Sequence, residues 1–156
     1  MKLRLLFLGK TEEMYLKEGI LNYLKRLQHY IPVEIIEIPV KHSKKINQAG
    51  QKIKDAILIN NQIQTNDYLV LLDEHGKQFR SIELANWMQK QMNTGIKNIT
   101  FVVGGPYGFS DETKSRANLH LSLSVMTFSH QMIRLFFLEQ LYRAFTIIRN
   151  EPYHNP

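Results

Sequence analysis

An α/β fold, a mostly parallel sheet flanked by helices, is predicted by three observations. Short apolar runs alternate with amphipathic stretches of helical period. Most runs end at Gly, Pro or a polar turn. Several are too continuous in Val, Ile, Leu and Phe to keep a solvent-facing side, as in a parallel sheet covered on both faces. At 156 residues and 44% hydrophobic content the chain can bury a core of its own, so one domain over residues 1–156 is expected, with no linker or repeat.

The elements follow in order. "LRLLFLG" reads as a buried strand ending at Gly9, and Thr11 then caps a helix with Leu16, Ile20, Tyr23, Leu24 and Leu27 on its apolar face. "VEIIEI" alternates as a strand and stops at Pro39, where a helix is also disfavoured. Ile46, Ile53, Ala56, Ile57 and Ile63 mark a second helix, weakened at its start by Gly50. "YLVLL" is a third strand running into the polar turn "DEHGK"; a helix from Ser81 to Gly95 and a fourth strand, "ITFVV", come next. Ser110 caps a short helix with Asp111 and Glu112 in its first turn, "LHLSLS" alternates as a fifth strand, and a long helix from Ser129 buries Ile133, Phe136, Phe137, Leu141, Ala144, Phe145 and Ile148. A helix-free tail, "NEPYHNP", closes the chain.

Composition narrows the function. Cysteine is absent and the six histidines do not cluster at zinc spacing, so no metal site is expected. The short apolar run after Arg4 is too brief for a signal segment or a membrane span, and a cytoplasmic protein with no membrane partner is expected. The formal charge of +6 favours a polyanionic partner. From Lys41 to Lys54 the chain carries five lysines and no acid, a candidate phosphate-contacting surface around Lys44, Lys45 and Lys52 or simply a solvated face.

The loop "VVGGPYGFSDE" after the fourth strand looks like a phosphate cradle but lacks the chemistry of one. Phe109 follows the last glycine where a P-loop needs Lys and Ser/Thr. A dinucleotide fingerprint would need glycine at Val103 and an acid about twenty residues on. Gly104 and Gly105 therefore let backbone approach something other than phosphate, or form a plain turn. A second unusual segment, "SLSVMTFSHQMIRLFFLEQLYRAF", carries His130, Arg134, Glu139 and Arg143 in otherwise apolar company, with Glu139 and Arg143 spaced to pair on one helix face. Tyr153 and His154 stand in the Pro-containing tail, where they serve no core.

The motifs "MKL", "GK", "IEIP", "LLDEHGK", "VVGGPYG", "SLSVMTFSHQMIR", "EQLYRAF" and "NEPYH" run through essentially the whole chain in an order that resembles the RlmH family, small SPOUT methyltransferases. The resemblance implies methylation of N3 of a pseudouridine in 23S ribosomal RNA of the large subunit. It also implies a trefoil knot in the C-terminal part, about residues 100–156, a homodimer, and S-adenosylmethionine as methyl donor without a metal. Carried over by position, the donor contacts are Leu72, Gly104 and Leu123, Ser124, Val125, Met126, Thr127 and Phe128, all at strand C-termini, where open parallel sheets bind ligands. Ser129, Phe109 and Asn155 depart from the family pattern.

Methyl transfer to an imide nitrogen needs in-line positioning and stabilisation of the anion formed as the proton leaves. Arg143 is the candidate for the anion or a phosphate, with Glu139 orienting it. His154 is the candidate proton acceptor or base-positioning group, and Tyr153 the candidate to stack on or bond the nucleotide. His130 either contacts RNA or serves the helix start. The rival readings are another SPOUT activity, such as tRNA ribose 2′-O-methylation, and a non-catalytic ribosome-binding protein.

Overall fold

In the computed structural model, which describes residues 1–41 and 43–156, five strands form one parallel sheet in the order β2-β1-β4-β3-β5. The strands are β1 (Lys2–Leu8), β2 (Val33–Ile38), β3 (Tyr68–Gln78), β4 (Asn98–Val103) and β5 (Leu119–Ser122); the helices are α1 (Met14–Leu27), α2 (Gln48–Gln62), α3 (Ser81–Asn93), α4 (Asp111–Arg116) and α5 (Met132–Ile148). One sheet face, with Leu3, Leu5, Phe7, Val70 and Phe101, packs against α1, α3 and α5 through Ile20, Leu27, Leu84, Met88, Phe137 and Leu141. The other, with Leu6, Leu8, Leu69, Leu71 and Val102, packs against Ile59 of α2 and Phe109. Burial on both faces is why these strands read as unbroken apolar runs.

Several expectations are corrected. The "DEHGK" segment is no simple turn: β3 continues to Gln78, and Leu121 pairs with Leu72 and again with Lys77 across the bulged residues 73–76. Gly76 is obligatory there, because a Cβ would lie 2.6 Å from the His120 carbonyl. Thr11 does not cap α1, which starts at Met14 behind Glu13; its buried hydroxyl accepts from Arg134 instead. Ile53 and Ile57 are 60% and 57% exposed, because α2 turns the Gln51, Asp55 and Ile59 stripe inward. Gly50 does not spoil the start of α2: its N–H donates to the Asn47 side chain at 2.8 Å. Phe136 is 43% exposed and packs on Phe128, ring centres 5.2 Å apart, rather than in the core. α5 begins at Met132, although Ser129 Oγ still accepts the Met132 N–H at 3.0 Å.

Candidate active site

Two cavities open where strand C-termini meet. The larger, about 450 Å³, lies at the bulge of β3, which is therefore not the strand end expected for Leu72, and at the ends of β4 and β5. Leu72, Leu123, Phe109 and Ile133 supply apolar lining, and Gly104, Ser124, Met126, Thr127 and Phe128 also border it. Val125 does not line it and is exposed. Lys52 borders it from α2, whereas Lys44 and Lys45 are exposed in the preceding loop and do not line it.

The cavity also carries acids that sequence spacing did not single out. Asp73 and Glu74 stand in the bulge of β3. Burial pushes the Asp73 carboxyl up, but hydrogen bonds from the His75 N–H and His120 and the nearby Lys114 charge outweigh it, holding the group below its ordinary range and ionised. Glu74 Oε2 accepts from Thr127 Oγ1 at 2.6 Å, tying the bulge to the 123–128 loop. Tyr107, 42% exposed, lies on the same cavity and was also missed; the signal was an aromatic residue between Pro106 and Gly108 in a loop that buries little. Among the described residues no group of three or more His, Cys, Asp or Glu is placed to hold a metal ion.

The loop leaving this cavity is bolted to the first strand. Arg134, fully buried, donates from Nη2 to the Leu8 carbonyl at 2.7 Å, from Nη1 to the Gly9 carbonyl at 3.1 Å and Thr11 Oγ1 at 3.0 Å, and from Nε to the His130 carbonyl at 3.1 Å. Its guanidinium lies 4.9 Å from the Phe7 ring centre. Gln131 donates to the Lys10 carbonyl and accepts from the Glu12 N–H, both at 3.0 Å. Each donor meets a backbone or hydroxyl acceptor, so a cation can be buried without a carboxylate touching it.

Glu139, Arg143, Tyr153 and His154 are brought together, but outside both cavities. Arg143 Nη2 donates to Glu139 Oε1 at 2.6 Å, Tyr153 Oη donates to the same oxygen at 3.0 Å, and the Arg143 guanidinium lies 4.8 Å from the Tyr153 ring centre. Arg143 Nη1 lies 3.4 Å from His154 Nδ1. Burial, then hydrogen bonds to Tyr23 and Glu139, push the Tyr153 phenol well above its usual range. Tyr30 donates to Glu151, and Tyr23 and Tyr153 hydroxyls lie 3.4 Å apart, so α1 and the turn after it hold the tail in place.

A family model described as "Predicted SPOUT methyltransferase" matches residues 1–154. The chain belongs to the SPOUT methyltransferase family. Relatives named "Ribosomal RNA large subunit methyltransferase H" include those of Christiangramia forsetii, 53% identical with 99% of each chain covered, and Cytophaga hutchinsonii, 52% identical over 99% of this chain and 100% of the relative. The protein of that name from Parabacteroides distasonis is 52% identical, with 99% of each chain covered. A solved structure described as a "probable methylase family protein" from Haemophilus influenzae is similar at a TM-score of 0.53 and 12% identity, covering 99% of this chain and 70% of that one; that likeness shows the fold alone. The larger cavity of this SPOUT chain therefore sits where the strand-end segments converge, and the tail cluster stands apart from it.

Proposed function

We propose that this protein methylates N3 of a pseudouridine in 23S ribosomal RNA, using S-adenosylmethionine bound in the larger cavity, and that it does so as a homodimer in the cytoplasm. The observation that carries the reading is the cavity itself: Leu72, Gly104 and most of residues 123–128, distant in sequence, line one space at the β3 bulge and the ends of β4 and β5. Its chemistry fits the donor. Apolar side chains suit an adenine, ionised Asp73 suits a ligand carrying positive charge, and Phe109 follows Gly108 where a P-loop needs lysine and a hydroxyl. Bound there, S-adenosylmethionine would supply an electrophilic methyl group. Lys52, on the cavity border, is placed for the donor's carboxylate. The names of the relatives, which specify large-subunit ribosomal RNA, support the substrate class. The knot over about residues 100–156 is part of the same reading.

The chain's own groups divide the remaining work. The acceptor nitrogen gains nucleophilicity as it loses its proton, so a cation near the ring favours the reactive anion. Arg143, oriented by Glu139, is that cation, or the grip on an adjacent phosphate. His154 receives the proton or positions the base, and Tyr153 stacks on the nucleotide. Because none of the four lines the donor cavity of its own chain, they act on the partner subunit's cavity. Exposed Met14, Tyr15 and Leu21 on α1 and Phe136 on α5 supply apolar surface for such a dimer. His130 borders both cavities, and Lys44 and Lys45 contact RNA.

Mass spectrometry of ribosomal RNA nucleosides from cells lacking this protein tests the reading. Loss of N3-methylpseudouridine, restored by the purified enzyme with S-adenosylmethionine, is the expected outcome; an unchanged level overturns it.

A further inference from the structure

The second cavity, about 260 Å³, adjoins the first and shares Gly105, Pro106 and His130 with it. It lies at the ends of β1 and β2, with Leu8, Pro39 and Val40 as apolar lining and the exposed Lys10 and Glu12 beside them. From α2 comes Asp55, only 4% exposed. Its Oδ1 accepts from Gln51 Nε2 at 2.8 Å. Its Oδ2 receives no hydrogen bond from the described residues, yet none of their side-chain polar atoms is both sealed from solvent and unpaired, so Oδ2 faces the cavity. It lies against the bare Cα of Gly105, where a Cβ would come within 3.2 Å of it. An acceptor this buried is stabilised by a donor, and none of the described residues supplies one to Oδ2.

We infer that this cavity takes the base to be methylated, and that Asp55 Oδ2 accepts the ring N1–H that a pseudouridine has and a uridine lacks. The inference rests on the methyl-transfer reading above. In uridine N1 carries the ribose; in pseudouridine the ribose is on C5 and N1 bears a hydrogen. An ionised carboxylate only accepts, so it is matched to an N–H and mismatched to a ring atom without one. N1 and N3 flank the same carbonyl carbon, so a ring held through N1 at Asp55 can present N3 to the edge shared with the donor cavity. Enzymes acting on a base read it in such a side pocket by hydrogen bonds to its edge. The carboxylate opposes anion formation on the ring, so its contribution lies in choosing the base, and Lys10 and Glu12 of the same cavity are of opposite charge type.

Asp55→Asn tests this with little change of shape. The amide oxygen can still receive Gln51, while an NH₂ that cannot accept replaces Oδ2. Methylation is measured on large subunits carrying either pseudouridine or uridine at the target position, the latter from cells without the pseudouridine synthase. The wild type should favour pseudouridine, and in Asp55→Asn the ratio of the two kcat/KM values should fall about tenfold or more. Asp55→Glu, which keeps an acceptor-only carboxylate, should retain part of the preference, and donor affinity by calorimetry should stay at the wild-type value in both variants. An equal loss on both substrates, an unaltered ratio, or a wild type without preference overturns the inference. A wild-type enzyme that forms no N3-methylpseudouridine at all is instead the failure of the proposed function, and the inference falls with it.

Discussion

The ring of Phe109 lies against the bare Cα of Gly104: a Cβ at that glycine would sit 2.9 Å from Phe109 Cζ. The paired glycines are thus needed first by the protein's own packing, since Phe109 is buried and lines the donor cavity. Gly104→Ala should push the ring toward the cavity, lowering stability by about 1–3 kcal/mol and weakening S-adenosylmethionine binding. Combining it with Phe109→Leu should recover much of both. Thermal melts and titration calorimetry on the single and double variants check this; a double variant no better than Gly104→Ala would show that the ring is not the obstacle.

Tyr153 offers a pH prediction. Because burial and its hydrogen bonds to Tyr23 and Glu139 raise its pKa, the phenol remains protonated and a donor through the neutral and mildly alkaline range. It therefore contributes no titrating limb to the rate profile. Tyr153→Phe should lower the rate by a similar factor at every pH between about 6 and 9 while leaving the apparent pKa values in place. A limb that disappears in the variant would identify Tyr153 as the base after all.

Acid stability should report on the Arg4–Asp67 pair. Arg4 Nη1 lies 2.8 Å from Asp67 Oδ2, and the Asp67 side chain is fully buried. Burial pushes its carboxyl up, but bonds from the Gln64 N–H, Thr100 and Asn98 and the Arg4 charge outweigh this and hold it below the ordinary range. A depressed folded-state value means stability that is present above the unfolded pKa, about 3.9, and is lost as pH falls through the lower folded value. Asp67→Asn should destabilise by about 3 kcal/mol near pH 7, because a buried guanidinium loses the nearer of its two carboxylates, Glu34 remaining 3.7 Å from Nε, and the difference should shrink below about pH 4. Urea unfolding at several pH values measures it; a difference constant down to pH 2 would exclude the linkage.

The lysines of the acid-free run should separate into two functions. Lys44 and Lys45 are exposed, and replacing both with Ala should weaken RNA binding and reduce its salt slope by about one per lysine. Lys52 borders the donor cavity, so Lys52→Ala should weaken donor binding instead. Calorimetry with the donor and filter binding at several salt concentrations distinguish them. If Lys52→Ala leaves donor affinity intact, its place on the cavity border is incidental.

The strand-helix alternation was legible because β1, β4 and the first half of β3 are buried on both faces and each of α1, α3 and α5 keeps an apolar stripe. The glycine loop and residues 123–128 were legible as unusual segments, and their convergence on one cavity needed the fold. Ile53 and Ile57 misled because an apolar pair one helical turn apart looks like core; only the inward stripe of Gln51 and Asp55, polar residues that bond each other, decides the rotation of α2. Asp73 and Glu74 were hidden in a turn-like pentapeptide, since a register shift between strands distant in sequence leaves no local pattern. Arg134 was visible as a charge in apolar company, but two of its acceptors are main-chain carbonyls more than 120 residues away, which no side-chain spacing reveals.

The separation of the tail cluster from the donor cavity leads to a test of the shared site. Glu139, Arg143, Tyr153 and His154 lie on α5 and the tail, whereas the cavity is built from the β3 bulge and the ends of β4 and β5. If one subunit's tail completes its partner's cavity, a two-fold dimer contains two composite sites. One chain carries Leu123→Trp, whose indole should fill the donor cavity, and another carries His154→Ala. Each homodimer should be nearly inactive, since every site in it has one defect. In the mixed dimer both defects fall in the same site and the other is intact. Random mixing makes about half of all dimers mixed, each with one sound site of two, so activity should recover to about a quarter of wild type if the sites act independently. If each tail instead serves its own subunit, both sites of the mixed dimer stay damaged and mixing restores nothing, the result that would sink the shared site.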